Sequence, residues 1–218
     1  PYTFIDDYGR TVTVTSYKRT ATLIGSFADV WMSAGGSVVA TANDTWTNFD
    51  LGLSSDVVNI GSILNPNVEL LIASSCNTDS NIALMQTLEN AGITVAYFDV
   101  SNFEQYLNML DKCTMITGRR DLYKTNGTDV KEQIDTIKSR VDGSNPKILF
   151  IRTSSSSVKA KQSEGSVGGE ILKDLGCVNI ADSDTSLLDD LSLEAIVVAD
   201  PDYIFVTTQG NDTDAAIR

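Results

Sequence analysis

One order of elements occurs twice in this chain and restricts its fold more than any other feature: apolar run, polar or small-residue loop, helical spacing, glycine, apolar run. The first copy runs Thr22, Leu23 and Ile24, then Gly25 and Ser26, then Ala28, Val30, Trp31 and Ala34 at helical spacing, then Gly35 and Gly36, and ends on Val38, Val39 and Ala40. The second runs from Ile148 to Ile151 through a longer polar loop to Val167, Ile171, Leu172 and Leu175, then Gly176, and ends on Val178 to Ile180. Apolar runs this short are buried strands, and a helix between two of them is the crossover that parallel strands require. Between the copies, residues 101–141 carry the longest helical pattern: Phe103, Tyr106, Leu107, Leu110 and Cys113, an interruption at Gly118, then Leu122, Val130, Ile134, Ile137 and Val141. Pro146 stops it. The expected fold is therefore α/β, with two lobes of parallel-rich sheet, 1–118 and 146–218, joined by an inter-lobe helix at 119–145, and a ligand cleft between the lobes.

Composition removes whole classes of chemistry. There is no histidine, so Ser-His-Asp and Cys-His catalysis and histidine-rich metal sites are excluded in their usual forms. With 29 acidic and 16 basic residues the net charge is -13, which argues against a nucleic-acid or anionic-membrane surface. Cys76, Cys113 and Cys177 are isolated, allow at most one disulfide and read as buried free thiols. No apolar run reaches the roughly 18 residues that a membrane span needs. The first residue is Pro1 and not methionine, which suggests a processed or recombinant form from which any signal peptide or lipid anchor has been cut off.

In open α/β sheets ligands bind beyond the carboxyl ends of the strands, so the residues there are the candidates. In the first lobe these are Ser26 and Phe27, whose structural reading is helix capping and core packing, and Ser74, Ser75 and Asn77 after the strand Leu70 to Ala73. Trp46, in a polar stretch without periodicity, lines a pocket or covers the core edge. In the second lobe Arg152, Ser154, Lys159 and Lys161 belong to a serine-rich segment read as a solvated loop, and three cations so close together in an acidic chain suit an anionic ligand. The alternating residues Tyr2 to Ile5 and Thr11 to Val14 predict a β-hairpin, and a helix over 81–91 leads to a strand over 94–98.

Five segments together resemble the substrate-binding proteins of ABC importers for ferric siderophores, haem and cobalamin. They are Phe4-Ile5-Asp6-Asp7-Tyr8-Gly9-Arg10-Thr11-Val12-Thr13-Val14, Gly25-Ser26-Phe27-Ala28-Asp29-Val30-Trp31, Asn65-Pro66-Asn67-Val68-Glu69, Ala91-Gly92-Ile93-Thr94-Val95, and Leu193-Glu194-Ala195-Ile196 leading into Asp200-Pro201-Asp202-Tyr203. The resemblance implies a bacterial, extracytoplasmic, monomeric binding protein, at the cell surface as a lipoprotein or in the periplasm, without a cofactor or catalytic residues of its own. Its cargo would be a metal chelate, a ferric siderophore first, then haem with a tyrosine or methionine ligand, then cobalamin. It also implies delivery to ABC permease subunits, whose arginines Glu69 and Glu194 would meet. Two departures stand out: Glu69 runs straight into its strand where the family has about ten further residues, and the chain stops at Arg218 where the family continues, which predicts an exposed sheet edge in the second lobe. The competing reading is a transferase-type α/β enzyme that uses the cleft, with Asp29 or Asp99 as base.

Overall fold

The computed structural model describes residues 1–60, 68–74, 78–154, 156–189 and 191–208, and the side chains of 78–82 and 84 are outside that description. The chain forms two compact units, 1–132 and 133–218. The boundary falls inside the long helical segment, one helical turn or more beyond Gly118.

Unit 1 opens with the predicted hairpin, β1 (Tyr2–Ile5) antiparallel to β2 (Thr11–Val14). A parallel five-stranded sheet follows, built from β3 (Thr20–Thr22), β4 (Val38–Thr41), β5 (Val58–Asn59), β6 (Leu70–Ser74) and β7 (Thr94–Phe98) in the order β5-β4-β3-β6-β7. Apart from the short edge strand β5, its strands are largely buried on both faces, as parallel strands with crossover helices must be. One face packs on α1 (Gly25–Ser33) and α4 (Phe103–Thr117) through Phe27, Trp31, Met109, Leu110 and Cys113, and the hairpin adds Phe4, Val12 and Val14 to this core. The other packs Ala21, Ala40, Leu71, Ala73, Val95 and Tyr97 against Met85 and Leu88 of α3 (Thr78–Asn90). The hairpin turn also shields the sheet's open edge. Asp6 accepts from Tyr8 N and Arg10 N through one carboxylate oxygen and from Tyr97 N at 3.3 Å through the other, while Asp7 N donates to Tyr97 O at 3.0 Å.

Gly118 ends α4 in the left-handed conformation, φ 74°. The helix that follows is continuous in three parts, α5 (Arg120–Tyr123), a π-helical turn (Lys124–Thr128) and α6 (Asp129–Lys138). The widened turn is held by Tyr106, whose hydroxyl donates to Asn126 O at 2.8 Å, and by the Asn126 amide, which donates to Ser33 O at 2.9 Å.

Unit 2 is organised on β8 (Lys147–Ser154). One edge of β8 pairs with β10 (Val178–Asn179) at its start and with β9 (Ser157–Lys161) further on, and the other edge pairs in parallel with β11 (Tyr203–Thr208). α7 (Val167–Asp174) approaches one face so closely that a Cβ on Gly168 would meet the Phe150 ring. The other face carries Leu149, Ile151 and Ala160 under α8 (Ile180–Ser183), α9 (Ser186–Asp189) and α10 (Leu193–Ala199). The expected strand over Val178–Ile180 is thus cut short, because Asn179 caps a helix through its side chain to Ala181 N. All six residues of β11 are exposed, and no strand among the described residues pairs with its outer edge.

Candidate functional site

In each unit the first strand of the βαβ has neighbours reached by connections running in opposite directions. β3 is followed in the sheet by β4 on one side and β6 on the other, and β8 by β10 on one side and β11 on the other. The carboxyl ends of β3 with β6 and of β8 with β11 are therefore switch points, the positions where loops part and leave a crevice.

At the unit 1 switch point Ser26 is exposed in the first turn of α1, and Ser74 ends β6 half-buried. Ser75 and Asn77 lie outside the described residues. Beside the start of α1, α2 (Asp44–Asn48) follows β4 and carries Trp46, 41% exposed. Asp44 fixes the two helix starts together by accepting from Gly25 N at 2.8 Å, and Gly25 is required there, since a Cβ would run into the Phe49 ring and Thr45 N. Below this rim a buried hydroxyl chain, Thr22 to Thr41 to Thr45 with both steps 2.7 Å, satisfies the polar groups at the strand ends. Phe27 is not on the rim: it is buried and meets Phe98 edge-on, so its packing role prevails over the binding role.

Three residues that the sequence reading did not count among the ligand-binding candidates belong to this side of unit 1: Asp29, named there only as a possible base, and Tyr106 and Phe103, read there only as part of a helix face. Asp29, half-buried on α1, has its carboxyl pushed up by burial, and the Tyr106 phenol is raised by burial and then by the Asp29 charge. Phe103 stacks obliquely on Tyr106 at 5.4 Å. The available signal was Asn102, an N-cap that starts α4 just past the end of β7.

At the unit 2 switch point the serine-rich segment is not a solvated loop. It is the β8–β9 hairpin, with Arg152 directly opposite Lys159 and Phe150 opposite Lys161. Side chains alternate across a strand, so Arg152, Lys159 and Lys161 share one face, the one that also carries Phe150, and Phe205 and Thr207 of β11 lie beside Phe150 and Arg152. Arg152 and Lys159 are exposed, and among the described residues none of the three cations has an acidic partner. Burial first, and then the charges of Arg152 and Lys159, lower the Lys161 pKa from its ordinary value. Ser154 closes the turn, its hydroxyl 3.0 Å from that of Ser157. Like charges placed directly opposite destabilise a hairpin, so this face is built against the local interest of the fold.

The acidic pair falls elsewhere. Glu69 sits immediately before β6, at the end of the sheet opposite the switch point, with its carboxylate accepting from Ser16 Oγ at 2.5 Å and Arg19 N at 3.2 Å. Glu194 is exposed in the first turn of α10, after the Ser192 cap. A surface groove of about 330 Å³ lies near the start of β7, but its cation, Arg10, is already paired with Glu89 at 2.8 Å. Among the described residues no cluster of metal-ligating side chains occurs, and no helix is long and apolar enough to cross a membrane.

Two α/β units, each with a strand-end switch point, joined through a long helix define a two-lobed binding-protein fold. The sequence profile of the family described as Periplasmic binding protein matches residues 20–217, and the chain belongs to that family. No match was found among curated proteins. Among solved structures it is similar to Staphylococcus aureus SirA complexed with staphyloferrin B, with TM-score 0.69 and 19% identity over 100% of this chain and 80% of that one. It is also similar to the periplasmic heme binding protein HutB of Vibrio cholerae, with TM-score 0.68 and 20% identity over 88% and 76%. A third is the periplasmic vitamin B12 binding protein BtuF of Vibrio cholerae, with TM-score 0.64 and 17% identity over 87% and 76%. At these identities the likeness is one of fold.

Proposed function

We propose that this protein is an extracytoplasmic solute-binding protein that captures an anionic metal chelate, a ferric siderophore in first place, and delivers it to an ABC permease. The observation that carries the reading is the face formed by Arg152, Lys159 and Lys161, three cations without acidic partners among the described residues, at a strand-end switch point of a chain with net charge -13. Such a face costs stability when empty and regains it when anionic oxygens arrive with charge-assisted hydrogen bonds. Family membership supports binding over the transferase reading. The solved relatives complexed with staphyloferrin B or named for heme and vitamin B12 support this class of ligand.

In this reading the anionic groups of the chelate meet the unit 2 triad, and Ser26, Ser74 and Trp46 serve the unit 1 rim. Ser154 holds the hairpin turn, Ser75 and Asn77 remain candidates from their sequence positions, and Glu194 meets the permease. The metal arrives within its chelate as cargo, which suits a chain without histidine. The protein acts as a monomer and needs no cofactor. Titration with ferric catecholate, ferric hydroxamate, haemin and cobalamin, read by Trp46 quenching and by calorimetry, tests the proposal. The expected result is tightest binding of a ferric siderophore, weakened by salt. Tight binding of free Mn or Zn with no affinity for any chelate would refute it.

A further inference from the structure

The two units divide the charge of the chain unequally, and the division reaches the strand ends. Between Arg19 and Lys112, a stretch that carries the whole unit 1 sheet and its crossover helices, there is no lysine or arginine. Asp29, Asp44, Asp50, Asp99 and Glu104 fall in the same stretch. The cations that follow it are already engaged by aspartates: Lys112 pairs with Asp7 at 3.4 Å, Arg119 with Asp121 at 2.6 Å, Arg120 with Asp111 at 2.7 Å and Lys124 with Asp129 at 2.6 Å. The strand ends of unit 1 can therefore offer an anion only backbone N–H groups and neutral side chains.

The start of α1 is where such N–H groups gather, and there the helix dipole favours a negative charge. α1 supplies nothing of its own to this end: its N-cap is Ile24, without a capping side chain, and its first turn holds no acid. Asp44 answers instead from the first turn of α2, its carboxylate accepting from Gly25 N at 2.8 Å. The chain thus carries its own carboxylate where an anionic group of a ligand would otherwise dock. A neutral amide would serve as a cap alone, whereas the full charge also repels any second anion brought beside it. Unit 2 is arranged in the opposite sense, with Arg152, Lys159 and Lys161 on one face and no acidic partner for them among the described residues.

We propose that Asp44 determines ligand specificity by closing the unit 1 rim to anions, so that the cargo presents its anionic oxygens to unit 2 only and an uncharged surface to Ser26 and Trp46. The inference rests on the capture reading above and narrows it to chelates whose charge is gathered on one side. The test is sulfate, titrated into isotope-labelled protein and followed at assigned backbone amides by NMR. In the wild type the amides of Arg152 and Lys159 should move while those of Gly25 and Ser26 stay. In Asp44→Ala the unit 2 response should be unchanged, and Gly25 and Ser26 should now report sulfate binding at least about tenfold tighter than in the wild type. Asp44→Ser, which keeps a polar residue in the first turn of α2, gives the same comparison should the alanine variant not fold. A purely structural cap would lower Tm on replacement and leave these two amides indifferent to sulfate. Sulfate that moves Gly25 in the wild type, or that leaves it in place in a folded Asp44 variant, would overturn the proposal. A unit 2 face that ignores sulfate would count against the capture reading instead, with Gly25 still deciding the role of Asp44.

Discussion

Removing Lys159 should move the empty and the loaded protein in opposite directions. In the empty state Lys159 faces Arg152 across the hairpin and shares its face with Lys161. A like-charge cross-strand pair costs about 0.2–1 kcal/mol, so Lys159→Ala gains about that much, a rise in Tm of roughly 1–4 °C for a chain of this size. In the loaded state the same substitution deletes a charge-assisted contact worth about 1.5–3 kcal/mol, a loss of roughly ten- to a hundredfold in affinity. At saturating chelate the second effect exceeds the first, because stabilisation by a ligand follows the logarithm of concentration over Kd. The mutant is then more stable than wild type when empty and less stable when full. Thermal melts across a titration of the panel chelate, paired with calorimetry, read both limbs, and raising the salt should compress the wild-type curve toward the mutant one. A lower Tm in the empty mutant, with affinity within about twofold of wild type, would refute the argument and make Lys159 an ordinary strand residue.

Trp46→Phe should abolish the fluorescence change on chelate binding, because the other tryptophan, Trp31, is fully buried with its indole donating to Ser37 O at 2.9 Å; a persisting change of equal size would count against the unit 1 rim. Cys113, wholly buried with its thiol pKa pushed up by that burial, should resist a thiol reagent in the native protein and react only on unfolding, and fast native labelling assigned to it by peptide mapping would contradict the core. The Glu69 carboxyl is held below the ordinary glutamate value of 4.5, so its stabilisation is complete above that value and is lost as the pH falls through the folded-state one. Glu69→Gln should therefore cost Tm at pH 7 and converge with wild type in acid, and a difference that grows on acidification would be the wrong sign.

The elements that sequence reading recovered are those whose cause is local. β7 is found at the predicted 94–98, and Gly92 and Gly118 end their helices with φ 80° and 74°, because a left-handed cap needs no partner beyond its own turn. Phe27 illustrates the limit. Its position after a core strand satisfies the ligand-loop argument and the core argument alike, and only the place of Phe98 across the sheet decides between them. The β8–β9 hairpin was legible in part: Val158, Lys159, Ala160 and Lys161 alternate with the period of a strand, but four serines from Ser154 to Ser157 read more strongly as a loop.

Pairing with β8 then settles the matter, and it changes the physics of the site, since cations on a solvated loop can separate whereas cations fixed in register cannot. The clasp between the Glu69 carboxylate and Arg19 N, residues 50 apart, leaves no periodic trace, so Glu69 taken alone is indistinguishable from a surface carboxylate. The internal repeat supplies what periodicity lacks. Glu69 and Asp202 each stand directly before an apolar strand, and Arg19 and Lys147 each stand directly before the strand it pairs with, or within its first residue. Reading the second copy against the first therefore gives a residue's role from the other half of the same chain. The same comparison pairs Glu69 with Asp202, whose carboxylate accepts from Lys147 N at 2.8 Å, and not with Glu194, the acidic residue that motif order alone had paired with it.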